Sequence, residues 1–197
     1  MRLLLASKSA ARRAMLEAAG VPFEPVEAEL DEEAAKAGLW SAGFDARGVA
    51  EELAQLKALS APARAGDLVL GSDQTLEMED GTLLGKPESR VAARGQLTAL
   101  RGASHRLHSA AVIAEGGEAV WSHCESAALT MRPFGDAFLD SYLDREFEAV
   151  RWNVGAYRIE GPGVQLFSRV EGSHFAILGM PLLPLLDYLR QRGLLAS

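Results

Sequence analysis

The stretch from Leu68 to Pro87, LVLGSDQTLEMEDGTLLGKP, constrains the fold more than any other part of the chain. Its apolar run, Leu68-Val69-Leu70, has the short uninterrupted form of a buried strand and delivers an acidic residue, Asp73, just past its end. Asp80-Gly81 is a hairpin signal. The chain then returns through Leu83-Leu84 to a lysine held between a glycine and a proline, Gly85-Lys86-Pro87. A carboxylate and an ammonium at matching ends of two adjacent strands are the parts needed to hold a metal-bound polyphosphate.

The flanking sequence alternates helical stripes with further strands. Leu3 to Ala6 is a compact apolar segment and reads as a buried strand. Ser9 is an N-cap for a helix that runs to about Ala19 with Met15 and Leu16 inward, and Gly20 ends it. Residues 21–47 read as acidic and irregular, with Asp31-Glu32-Glu33 in the middle. Val49, Leu53, Leu56 and Leu59 form a helical stripe. Pro87-Glu88-Ser89 reads as the entry to a helix carrying Val91, Leu97 and Leu100 inward. Residues 105–114 and 119–131 are two long strands around the turn Glu115-Gly116-Gly117-Glu118. Asp136 is positioned to cap a helix carrying Phe138, Leu139, Tyr142 and Leu143. Tyr157 to Ile159 and Val164 to Val170 read as short strands, and Leu182, Leu185, Leu186 and Leu189 as a last helix. Helices interleaved with hairpins and single strands indicate an α/β domain with a mixed sheet.

Bulk properties narrow the function classes. A length of 197 residues suits one domain, or one domain with two lobes around a cleft. The chain is 48% hydrophobic and 24% charged, which argues for a packed core rather than disorder. A net charge of -7 argues against a broad nucleic-acid surface and leaves room for a local basic cluster that holds a small anion. Cys124 is the only cysteine, so no internal disulfide forms and a reducing compartment fits. No run of about 20 apolar residues reads as a membrane span. The opening MRLLLASKSAARR lacks a long apolar region, so the expected location is cytoplasmic.

Several residues carry candidate chemistry, each with a plainer alternative. Ser7, Ser9, Arg12 and Arg13 sit at a strand-to-helix junction, where free N–H groups and a positive dipole end favour phosphate. A capped helix with surface arginines is the alternative. Asp73 suits a metal or an activated water, and otherwise a turn that accepts backbone N–H bonds. Lys86, its backbone restricted by Pro87, is a point charge for phosphate or a solvated loop lysine. Lys57 borders the apolar face of its helix and either reaches a cleft or snorkels. Asp31 and Glu32 are metal-ligand candidates or a solvated charge run. His105 and His108, three apart on a strand, face opposite sides, and His123 and His174 are isolated, which argues against zinc. The chain lacks both the G-x-S-x-G nucleophile turn and the G-x-x-x-x-G-K-[ST] phosphate loop.

Taken in order, these motifs resemble the Maf family of nucleoside triphosphate pyrophosphatases. The family opening L-A-S-x-S-P-x-R-x-x-L-L corresponds to Leu5-Ala6-Ser7-Lys8-Ser9-Ala10-Ala11-Arg12-Arg13-Ala14-Met15-Leu16. Its D-E pair corresponds to Asp31-Glu32 and its L-A-x-x-K-A helix to Leu53-Ala54-Gln55-Leu56-Lys57-Ala58. Gly71-Ser72-Asp73-Gln74 and Gly85-Lys86-Pro87 match G-[AS]-D-[TQ] and G-K-P. Gly155-Ala156-Tyr157, Glu160-Gly161, Glu171-Gly172 and Leu178-Gly179-Met180-Pro181-Leu182 match the closing motifs. The resemblance spans nearly the whole chain.

The resemblance implies an α/β fold of the Maf and ITPase-like kind, an elongated mixed sheet flanked by helices. It implies a single domain over 1–197 with two lobes around a nucleotide cleft. The implied reaction splits a nucleoside 5′-triphosphate between its α and β phosphates, giving the monophosphate and pyrophosphate, with Mg²⁺ or Mn²⁺. Carried over, Asp73 is the catalytic base and a metal ligand with Glu32, while Ser7, Ser9, Arg12, Arg13, Lys57 and Lys86 bind substrate. Ala10 and Ala11 replace the proline and first arginine of the common S-P-R-R form. Gln74 and Glu160, with the run Leu166 to Gly172, resemble the branch acting on 7-methyl-GTP rather than on dTTP and UTP. Ser109 and Ser173 depart from residues usual in the family. No nucleic-acid polymer or membrane partner is implied, and a homodimer is compatible with the pattern. A nucleotide-binding regulator of septum formation, without turnover, is the alternative. A phosphate-monoester hydrolase is a third reading, and it predicts inorganic phosphate rather than pyrophosphate.

Overall fold

In the computed structural model, which describes residues 1–196, the apolar runs LLL and LVL lie side by side. Strand β1, Leu3–Ala6, pairs in parallel with β3, Leu68–Met78, in the register Leu3↔Leu68, Leu4↔Val69, Leu5↔Leu70, Ala6↔Gly71. The two-residue β2, Glu24–Pro25, also pairs in parallel with β1. Strand β4, Leu83–Leu84, pairs antiparallel with β3, and the hairpin turns at Asp80-Gly81, where the Asp80 carboxylate accepts from the Thr82 N–H at 2.9 Å. Strands β5, Ser104–Glu115, and β6, Glu118–Met131, are joined at Gly116-Gly117. Both glycines have positive φ, 61° and 85°, the pair of angles a type I′ hairpin turn requires. Strand β7, Phe167–Glu171, pairs antiparallel with β6. The order is β2-β1-β3-β5-β6-β7 with β4 on β3, a mixed open sheet of seven strands, as the interleaved sequence pattern predicts.

The chain divides into two compact units, and β3, β5 and β6 contribute residues to both. The first unit comprises Met1–Gln74, His108–Glu125 and the chain from Ser173 onward. Strand β1, the start of β3 and the end of β5 are buried on both faces, which is why they read as unbroken apolar runs rather than alternations. Leu3, Leu5, Leu68, Leu70, Ala111 and Ile113 face one side. There they meet Met15 and Leu16 of α1, Ala10–Ala18, and Leu182, Leu185 and Leu189 of α7, Leu182–Gln191. Leu4, Ala6, Val69, Ala110, Val112 and Ala114 face the other, against Ala50, Ala54 and Ala58 of α3, Ala46–Ser60. Each fully buried leucine contributes about 1.5–3 kcal/mol through removal from water.

The seam between β3 and α3 is made of small residues. A Cβ placed on Gly71 would lie 2.1 Å from the Ala54 carbonyl oxygen and 2.6 Å from the Ala58 nitrogen. Only glycine lets the helix backbone approach the strand this closely. The stripe expected from Val49, Leu53, Leu56 and Leu59 is therefore shifted. Val49 and Leu53 are buried, Leu59 is exposed, and the alanines occupy the inner line.

Other sequence expectations change as well. Residues 21–47 contain a helix, α2, Glu32–Ser41, capped by Asp31, whose carboxylate accepts from the Ala34 N–H at 3.0 Å. An N-cap aspartate followed by Glu32 and Glu33 in the first turn is a helix start; it escapes notice because α2 buries no residue and so lacks a clear apolar stripe. Strand β3 does not stop near Gly71 but runs to Met78, since pairing with β4 extends the ladder, so Asp73 lies inside the strand.

The second unit comprises Thr75–Leu107 and Ser126–Gly172. Helix α4, Arg90–Leu100, begins at the expected entry, where Ser89 caps it, and Leu97 and Leu100 are buried. Val91 points outward at 80% exposure, because the buried line of the helix runs through Ala93, Leu97 and Leu100 and Val91 lies off it. Helix α5, Asp136–Val150, has Gly135 at its N-cap. Asp136 does not cap it; its carboxylate accepts from Arg101 Nη2 at 2.6 Å. Asp140 likewise accepts from Arg94 at 2.9 Å, tying α5 to α4. Tyr157 to Ile159 is not a strand. Val154–Ala156 and Pro162–Leu166 are 3₁₀ turns, and only Phe167–Glu171 of the second strand-like piece is extended.

Candidate active site

In the first unit, Ser9 caps α1 with its hydroxyl on the Arg12 N–H. Ser7, just beyond β1, accepts from the Ser9 N–H at 3.3 Å and from Arg12 Nη1 at 3.2 Å. Arg12 is 8% exposed, and its Nε donates to the Gly179 carbonyl at 2.8 Å. Burial pulls its guanidinium below the ordinary value, while the carboxylates of Asp73 and Glu32 oppose that effect and favour the charge. Arg13 turns elsewhere and donates from Nη2 to the Lys8 carbonyl at 3.2 Å.

Strand periodicity decides what surrounds Asp73. Gly71 and Asp73 share the α3 side of β3, and Ser72 and Gln74 the opposite side. The close Gly71 approach brings in the last turn of α3, where Lys57 sits only 4% exposed. Its Nζ lies 2.6 Å from Asp73 Oδ1 and 3.0 Å from Glu32 Oε2. Asp31 is occupied as the α2 cap, while the next residue, Glu32, reaches Lys57. The result is a cluster of two carboxylates, one ammonium and one buried guanidinium, drawn from α2, α3, β3 and α1. Lone charges buried in this way would be costly; paired, they form a polar site with defined directions.

On the opposite side of β3, Gln74 Nε2 lies 2.9 Å from Ser109 Oγ, 3.0 Å from the Ala176 carbonyl and 3.1 Å from the Ile177 carbonyl. These carbonyls belong to α6, His174–Leu178. Ser72 Oγ donates to the Gly179 carbonyl at 3.1 Å.

Lys86 and Glu160 belong to the second unit, and both are exposed. The Gly85 carbonyl before Lys86 accepts from Gln96 Nε2 at 3.1 Å. Near Glu160, Arg158 holds the buried Glu146 carboxylate through Nε at 3.0 Å and Nη2 at 2.9 Å. His105 meets Tyr157 at 2.7 Å and is held neutral by burial, its pKa lowered to about 4. Burial raises the Cys124 thiol to about 11, the behaviour of an inert core residue.

Of the residues the sequence singled out, Ser7, Arg12, Glu32, Lys57 and Asp73 come together. Ser9 acts as a cap, and Arg13 and Gln74 turn to backbone carbonyls. Ser72, Ser109 and Gly179 were missed as parts of this arrangement. A buried serine beside the key aspartate was the available signal for the first.

The sequence profile of the Maf-like protein family matches residues 2–192. The chain belongs to the Maf-like family. Maf-like relatives match it end to end. A nucleoside triphosphate pyrophosphatase of Caulobacter vibrioides is 49% identical over 97% of this chain and 96% of its own. One of Paramagnetospirillum magneticum is 51% identical over 96% and 98%. A 7-methyl-GTP pyrophosphatase of Brucella abortus is 42% identical over 97% and 96%.

Proposed function

We propose that the chain hydrolyses nucleoside 5′-triphosphates at the α–β anhydride, releasing the monophosphate and pyrophosphate, with modified nucleotides such as 7-methyl-GTP as preferred substrates. The chain is an enzyme, a nucleotide pyrophosphatase of the hydrolase class, in keeping with its family and its named relatives. The observation that carries the finer reading is the convergence of Asp73, Glu32, Lys57 and Arg12 at the start of α1. The 7-methyl-GTP preference draws on Glu160 and on the Brucella abortus relative's name. A methylated guanine carries positive charge, and an exposed carboxylate favours it.

The donor set fits a hard divalent cation. Two carboxylates converge, and among the described residues no group of three or more His, Cys, Asp or Glu forms a metal cage. Mg²⁺ and Mn²⁺ use one or two carboxylates and take their remaining ligands from substrate phosphates and water. Asp73 and Glu32 would hold such an ion, which when bound supplies positive charge to the triphosphate.

The protein's own groups divide the remaining work. Asp73 takes a proton from the attacking water as its oxygen bonds to phosphorus, and the bond to the leaving pyrophosphate breaks. Arg12 and Lys57 offset the charge that gathers on the leaving group. Ser7 orients Arg12, and Lys86 contributes a further charge for phosphate. The test is pyrophosphate release from a panel of ordinary and methylated nucleoside triphosphates by the parent and by Asp73→Asn. The variant is expected to lose on the order of 10²–10⁴ in rate. Undiminished release by the variant removes Asp73 from the chemistry, and inorganic phosphate as sole product removes the pyrophosphatase reading.

A further inference from the structure

The residues on either side of Asp73 are both tied to one short segment. Gln74 reaches the Ala176 and Ile177 carbonyls, and Ser109 Oγ donates to the Ala176 carbonyl at 2.6 Å. Ser72, 0% exposed, donates to the Gly179 carbonyl. A helix of one turn leaves most of its carbonyls short of backbone partners; the Ala176 carbonyl, which also accepts from the Gly179 N–H at 3.0 Å, and the Ile177 carbonyl are answered by these side chains.

The Gly179 carbonyl accepts a second bond, from Arg12 Nε. One oxygen therefore joins the neighbour of Asp73 to the buried guanidinium of the site. Gly179 adopts φ 111°, and a Cβ there would lie 3.4 Å from Arg12 Nε and 3.5 Å from Nη2. The guanidinium packs against a bare backbone. Among the described residues no hydrogen bond engages Arg12 Nη2, which leaves that amino group for an incoming anion.

We infer that Ser72 is a positioning residue for the reaction. Through the Gly179 carbonyl it fixes the direction of the Arg12 fork, and with Gln74 it holds the Asp73 segment of β3 against α6. The inference rests on the proposed function for giving Arg12 a phosphate to hold. Two donors on the carbonyl oxygen, together with the Met180 N–H on the Phe175 carbonyl at 3.1 Å, set the plane of that peptide; with Ser72 Oγ gone one of these three ties is lost, and the oxygen that aims Arg12 is less firmly directed. A guanidinium fork is selective for phosphate only when its plane is aimed, and a small misplacement costs rate. The charge itself stays in place, so the loss falls on kcat more than on KM.

The experiment is a double-mutant cycle on the full chain with 7-methyl-GTP and UTP as probes, comparing the parent, Ser72→Ala, Arg12→Ala and the double variant. Thermal unfolding is recorded for each. Ser72→Ala is expected to lower kcat about 3–10-fold, the range of one lost hydrogen bond. In the Arg12→Ala background the further loss is expected to be less than about 2-fold, because the two act through one carbonyl. Ser72→Cys keeps the volume with a weaker donor; it is expected to fall between, and it carries the cycle if the alanine variant does not fold. Equal losses in both backgrounds, or a lower melting temperature with kcat unchanged, overturn the inference and leave Ser72 a packing residue. If Arg12→Ala alone leaves kcat and KM unchanged, the phosphate role of Arg12 fails first and the positioning role falls with it.

Discussion

Lys57 Nζ lies 2.6 Å from Asp73 Oδ1, although the two residues are 16 apart in sequence and sit on different elements. The pair exists because the backbone of α3 closes onto the bare backbone of β3 at Gly71. Glu32 closes the other side of the ammonium at 3.0 Å, with 44% of its side chain exposed. Lys57 thus stands where it can answer carboxylates before a nucleotide arrives and phosphates afterwards.

Replacing Lys57 with methionine is expected to lower pyrophosphate release about 10²–10³-fold, the effect of losing one aimed charge in a catalytic site. It also leaves Asp73 without its cation. For a fully buried pair that would cost about 3–5 kcal/mol; here Glu32 is half in water, so about 2 kcal/mol is expected from urea unfolding. Lys57→Arg keeps the charge with a different shape and is expected to recover stability more than rate.

Gly71→Ala is expected to damage fold and activity together. The added methyl meets backbone atoms of α3, not the end of a flexible side chain. Overpacking of this kind costs about 3 kcal/mol, which in a chain of this size is a fall of about 6–12 °C in melting temperature. Activity per folded molecule is expected to fall too, since α3 carries Lys57. A variant as fast as the parent would mean the helix relaxes without moving its lysine.

Glu160→Gln is expected to narrow the preference between 7-methyl-GTP and UTP while leaving folding unchanged, because Glu160 is exposed. A carboxylate favours the positively charged methylated ring, and an amide does not. Relative kcat/KM for the two nucleotides is the measurement, and an unchanged ratio removes Glu160 from base selection.

His105 predicts a loss of stability in mild acid. Its folded pKa, lowered by burial to about 4, lies below the unfolded value near 6.5. Between those values the unfolded chain binds a proton that the folded chain does not. The favourable balance is complete above about pH 6.5 and shrinks by roughly 3 kcal/mol as the pH falls to about 4. Urea unfolding at pH 7.5 and pH 5 checks this, with His105→Leu as the comparison. The variant is expected to lose less stability between the two pH values than the parent.

Much of the fold was legible because its signals are local. Ser9 caps a helix as its position predicts, the entry at Pro87-Glu88-Ser89 opens another, Gly20 ends one, and Asp80-Gly81 and Gly116-Gly117 turn hairpins. The runs LLL and LVL announced strands buried on both faces. The errors arose where tertiary contact outranks local pattern. Helix α2 buries nothing, so its periodicity is silent, and only the Asp31 cap marks it. Leu59 lies off the inner line of α3 because that line was given to alanine.

The site divides the same way. Asp73, Lys57 and Arg12 stand in recognisable local settings. What joins them does not: Arg12 meets Gly179 across 167 residues, and Ser72 meets it across 107. Gln74 drew notice for its identity, yet its three nearest acceptors lie on β5 and α6, and no spacing in the sequence foretells them.

The seam between Gly71 and the alanines of α3 gives mutation an unequal choice. Glycine has no side chain to trim, and each alanine has a single methyl, so almost every substitution along this line adds atoms. Enlargement pushes the helix away and takes an ammonium from its carboxylates. Elsewhere in the core a lost methyl can be refilled by a neighbour. Here drift runs in one direction only, and the spacing of the charged cluster is kept by the least conspicuous residues of the chain.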